Sequence, residues 1–131
     1  MDKGETVVGA SGVEVAMGYR DDIPGDAGLC VQVYANVEGT DTELLRIDCF
    51  ANAPHYHYGP EKDDERLMLD ATAAGDPLAW ILERFERGRL KPMIERAGYA
   101  SVAAALDEDA FQAALPDISS KAYAIVAQHT T

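Results

Sequence analysis

Apolar residues fall at every second position in the first half of this chain and at every third or fourth position in the second. The change comes at Asp76-Pro77. A period of two marks strands with one buried face, and a period near 3.6 marks amphipathic helices, so the chain reads as strands first and helices second. That order predicts a segregated α+β layer fold over a doubly wound one. The expected architecture is an antiparallel sheet of four to five strands over residues 12–70, covered on one face by C-terminal helices over 76–128.

Val13, Val15, Met17 and Tyr19 form the first alternating set, Leu29 to Val37 the second, and Leu45, Ile47, Cys49 and Ala51 the third. Turn clusters at 21–26 and 38–41 separate them, as in a meander. His55 to Tyr58 and Arg66 to Asp70 flank an acidic loop and read as a further hairpin. The first eleven residues, polar and glycine-rich, read as a loose lead-in. Asp76 followed by Pro77 is a strong helix start, and Leu78, Ile81, Leu82 and Phe85 continue it. Pro92 is expected to kink or restart that helix and Gly98 to stop it. Asp107 then caps a short helix through Leu115, and Pro116 opens another through Gln128.

With 131 residues, 47% of them hydrophobic, the chain suits one folded domain spanning 1–131 that holds a core without staples. Its net charge of -12 argues against nucleic acid and anionic lipid, which select clustered Lys and Arg. The first 70 residues carry 15 acidic against 5 basic side chains, the remainder 8 against 6. No apolar run has the length of a membrane span and the N-terminus lacks a signal-peptide pattern, so the expected location is the cytoplasm. Cys30 and Cys49 sit within strands and read as small buried hydrophobes, not as a disulfide.

His55-Tyr56-His57 is the one constellation with metal-ligand spacing, because residues two apart on a strand share a face. Glu61, in the loop that follows, supplies a carboxylate for a divalent metal, with Asp70 an alternative. The spacing His55-x-His57-x-x-x-Glu61 is similar to the first half of the cupin metal motif, which implies an ion held inside a β-barrel by those three residues. The similarity covers seven residues: no second-motif histidine follows on a later strand, and the C-terminal half is helical. Arg46-Ile47-Asp48 followed by Asn52-Ala53-Pro54-His55 resembles a short strand segment of TumE-like toxin proteins, with Cys49, Phe50 and Ala51 interposed, and no function follows from it.

Counting parity from Leu45 puts His55 and His57 under the helices, and closing the hairpin around Lys62 opposes His57 to Leu67 and His55 to Leu69, on the same face. Tyr34, Leu44, Phe50, Tyr56, Tyr58 and Met68 then line the reverse face. A bulge at Pro54 would exchange the two sets. Two functional readings follow. An aromatic reverse face needing cover suggests a non-catalytic homodimer or accessory module bound to a protein partner. The histidines suggest a small metalloprotein, a hydrolase or lyase, if they do not merely fix the hairpin through hydrogen bonds. A ligand pocket lined by Tyr56, Tyr58 and Trp80 is a third arrangement compatible with the pattern.

Overall fold

The computed structural model describes residues 2–129. Six strands, β1 (Thr6–Ala10), β2 (Val13–Ile23), β3 (Asp26–Val37), β4 (Thr40–Phe50), β5 (His55–Tyr58) and β6 (Glu65–Met68), form one sheet in chain order. Every neighbouring pair is antiparallel. Five helices follow: α1 (Ala71–Ala74), α2 (Pro77–Glu86), α3 (Leu90–Arg96), α4 (Ala100–Ala105) and α5 (Glu108–His129). The expected α+β architecture is present, with α5 packed on the sheet.

Tight turns make the meander. Val37 pairs with Thr40 across Glu38 and Gly39, whose φ values of 52° and 86° are both left-handed, the signature of a type I′ hairpin turn. Asp76 caps α2 by accepting from Ala79 N at 2.9 Å, with Pro77 in the first turn. Leu78, Ile81, Leu82 and Phe85 then face the sheet. They meet Val15, Val33, Leu45 and Ile47 from the strands and Phe111, Ile118 and Ala122 from α5. Each large side chain so buried contributes about 1.5–3 kcal/mol, which outweighs the weak propensity of the shorter helices.

Four expectations need correction. Residues 6–10 are not lead-in but β1, paired with β2 from Thr6↔Met17 to Ala10↔Val13, so the sheet has six strands. Pro116 lies inside the single helix α5 and does not divide it. Phe111, Leu115, Ile118 and Ala122 form an unbroken buried stripe through that point, and its packing outweighs the lost backbone bond. The short helices α1 and α4 were not expected.

The fourth correction concerns facing. β5 pairs β4 as Leu45↔Tyr58, Arg46↔His57, Ile47↔Tyr56 and Asp48↔His55. Six residues separate Asp48 from His55, so directly opposed positions have opposite parity. Tyr56 and Tyr58 therefore join Leu45 and Ile47 under the helices, and His55 and His57 stand on the reverse face. The hairpin closes one residue earlier than symmetry about Lys62 requires, opposing His55 to Met68 and His57 to Arg66. Leu44 is the extra residue of a bulge between Val33↔Leu45 and Tyr34↔Glu43, and it is buried in the hydrophobic cluster. Tyr34, Phe50 and Met68 are on the reverse face as expected.

Candidate metal centre on the reverse face

The site is built where β4 turns into β5. Asp26 holds that turn: its carboxylate accepts from Asn52 N at 2.9 Å, Ala53 N at 2.8 Å and Ala27 N at 3.0 Å. Burial pushes its pKa upward, but these donors and Ala51 more than offset that and hold it below the usual carboxylate range. The turn delivers the Ala53 carbonyl, which accepts from His55 Nδ1 at 2.9 Å. On the other side the 59–64 loop delivers Asp64. Its backbone is left-handed, with φ of 49°, and its N–H donates to the Gly59 carbonyl at 2.9 Å. Aspartate tolerates that conformation better than most residues. The Asp64 carboxylate then accepts from His57 Nδ1 at 2.8 Å.

With both Nδ1 atoms committed, both Nε2 atoms turn inward. His55 Nε2 lies 3.0 Å and His57 Nε2 3.7 Å from the same oxygen, Asp48 Oδ2. One ligand atom from each of these residues falls within 4.8 Å of the others. Asp48 is 1% exposed, and its Oδ1 lies 3.6 Å from Arg20 Nη1. The Phe50 ring packs edge-on to His55 with centroids 5.6 Å apart, and the Arg20 guanidinium lies 5.7 Å from the Phe50 ring centre. Cys30 pairs in register with Asp48; burial first, and the Asp48 charge second, raise its pKa and keep the thiol protonated.

The rest of this face is a buried polar network. Arg46 grips Glu43 through two bonds, Nη2 to Oε1 at 2.6 Å and Nε to Oε2 at 3.0 Å, and that pairing raises the arginine's pKa. Gln32 donates to Glu43 at 2.8 Å and to the Tyr34 hydroxyl at 3.3 Å. Burial, then the Glu43 charge, pushes the Tyr34 phenol up to about 12. The N-terminal segment covers this network: Gly4 N donates to Gln32 Oε1 at 2.8 Å, and Lys3 lies over the Tyr34 ring. Glycine is required at position 4, since a Cβ there would stand 2.5 Å from the Met17 carbonyl carbon.

Of the residues expected at a metal site, His55 and His57 are together and Glu61 is elsewhere. Glu61 accepts from the Glu43 backbone N–H, and Asp70 caps α1. His129 stacks on Tyr19 at 4.1 Å and is not part of the cluster. Tyr56 packs against Tyr58 and Trp80, each with centroids 5.5 Å apart, as part of the core side. Asp48 is the member of this cluster that sequence reading missed. Its signal was an acid set between Ile47 and Cys49 within a strand, where a charge that becomes buried needs a partner.

Among the described residues no helix is long and apolar enough to cross a membrane. Residues 7–122, which contain Asp48, His55 and His57, match the model of a protein family described as Domain of unknown function (DUF7700). No curated protein and no solved structure matches the chain.

Proposed function

The chain belongs to the DUF7700 family, and we propose that it is a metalloprotein in which Asp48, His55 and His57 hold a divalent ion. The observation that carries this reading is the commitment of both Nδ1 atoms, to the Ala53 carbonyl and the Asp64 carboxylate. Metal-bound histidines characteristically donate their second N–H to such groups, which fixes the tautomer and aims the lone pair. In neutral imidazoles so fixed, both Nε2 lone pairs face one carboxylate oxygen, an arrangement that a cation between them relieves. Two histidines and one carboxylate suit zinc or another first-row divalent ion and leave coordination positions open. An ion held there would supply a Lewis acid or an activated water.

Elemental analysis of untagged protein, with Co²⁺ titration of chelator-treated protein, tests the proposal. One equivalent is expected in the wild type, and neither His57→Ala nor Asp48→Asn should retain it while both keep the wild-type circular dichroism spectrum. Absence of binding at micromolar Co²⁺, or undiminished binding by both variants, would remove the reading.

Self-association through the reverse face has lost its motivation. Tyr56 and Tyr58 lie on the opposite side, and Tyr34 and Phe50 are 7% and 2% exposed within one chain. Light scattering at micromolar concentration measures the oligomeric state directly.

A further inference from the structure

The sheet ends beside the proposed centre, and the last strand puts two unlike side chains next to the two histidines. Arg66 stands directly across from His57, and Met68 directly across from His55. Opposed residues in an antiparallel pair share a face, with Cβ atoms about 4.5–5.5 Å apart. Arg66 is exposed, and among the described residues it has no ion pair, in a chain with 23 acidic and 11 basic side chains. The neighbouring cations are engaged: Arg46 with Glu43, Arg96 with Glu65, and Arg20 with Asp22 and Asp48. Met68 is 56% exposed, more than Val7 or Tyr123.

We infer that the centre takes a small organic carboxylate, with its oxygens shared between the metal and the Arg66 guanidinium and its apolar substituent lying on Met68. The inference rests on the metal centre proposed above. A divalent ion held by one carboxylate keeps a net positive charge, and a planar guanidinium matches carboxylate geometry with two parallel bonds. The acidity of the whole chain does not cancel this. Charges beyond about 8 Å are largely screened at physiological salt, whereas Arg66 and the ion would touch the ligand. The exposed methionine, a flexible apolar surface, favours a substituted carboxylate over a bare inorganic anion.

The test uses the full chain loaded with Co²⁺, whose visible spectrum reports a change of ligand, titrated separately with acetate, hexanoate and inorganic phosphate. Hexanoate is expected to bind tightest. Arg66→Ala should weaken acetate and hexanoate alike by about tenfold or more, and Met68→Ala should weaken hexanoate severalfold while sparing acetate. Co²⁺ affinity should be unchanged in both variants. A wild-type spectrum unmoved by carboxylates, an Arg66→Ala protein that binds them normally, or tighter binding of phosphate than of hexanoate would overturn the inference with the metal centre intact. Failure of Co²⁺ to bind the wild type would remove the centre and this ligand together.

Discussion

Asp64 and Asp26 never face the proposed ion, yet each fixes one imidazole. Asp64 acts through a hydrogen bond to His57 Nδ1 from a left-handed backbone position, and removing its carboxylate leaves the ring free to rotate. Asp64→Ala is therefore expected to lower Co²⁺ affinity by about 10–100-fold without changing the fold, as measured by competition with a chelator. Asp26 acts through the turn that carries Ala53. Its folded pKa is below the ordinary 3.8, so its contribution to stability is fully present above that value and is lost as pH falls through the folded pKa. Asp26→Asn should cost about 1 kcal/mol at neutral pH, allowing for the residue's partial exposure. Urea unfolding at pH 7 and pH 2.5 measures this, and the difference between variant and wild type should shrink at the lower pH.

Elements, more than single residues, decide which face the site occupies. The 59–64 loop is tied to the helical layer by Lys62, which donates to the Gly98 carbonyl at 2.6 Å and lies 4.3 Å from the Tyr99 ring centre. The loop that holds Asp64 is thus anchored to the C-terminal end of α3. α5 shows packing overriding local preference. Its buried stripe at Phe111, Leu115, Ile118 and Ala122 passes straight through Pro116, which is exposed. Pro116→Ala restores a backbone donor at a position without packing demands and should raise stability by about 1 kcal/mol or more. Thermal unfolding monitored by circular dichroism would show a higher midpoint, and an unchanged or lower one would mean that the proline's carbonyl clash is already relieved locally.

At the scale of the molecule, the sheet separates two environments. One face meets the helices mainly through apolar side chains, with the Arg96–Glu65 ion pair at its edge, and the other carries Gln32, Glu43 and Asp48, all nearly inaccessible to water. Buried charges of this kind need partners, so the reverse face holds its ion pairs in fixed geometry at some cost in stability. A ligand that binds only the folded state stabilises it in proportion to the logarithm of its concentration. An added ion at one hundred times its dissociation constant should contribute about 2.7 kcal/mol. The expected result is a metal-dependent rise in the unfolding midpoint of the wild type that Asp48→Asn abolishes.

The periodicity and the turn chemistry were sufficient for the α+β class, the meander, the start of α2 at Asp76-Pro77 and the grouping of His55 with His57, because each follows from neighbours along the chain. β1 was not legible: it has only five residues, and Val7 is 40% exposed, so it lacks a clean alternation. The facing of the histidines was not legible either. It depends on how many residues separate Asp48 from His55 across a reversal held by Asp26, 26 and 27 positions away in sequence from Asn52 and Ala53. Local pattern therefore set what each strand is made of. Only the folded pairing, through long-range backbone bonds, chose Asp48 over Glu61 as the histidines' companion.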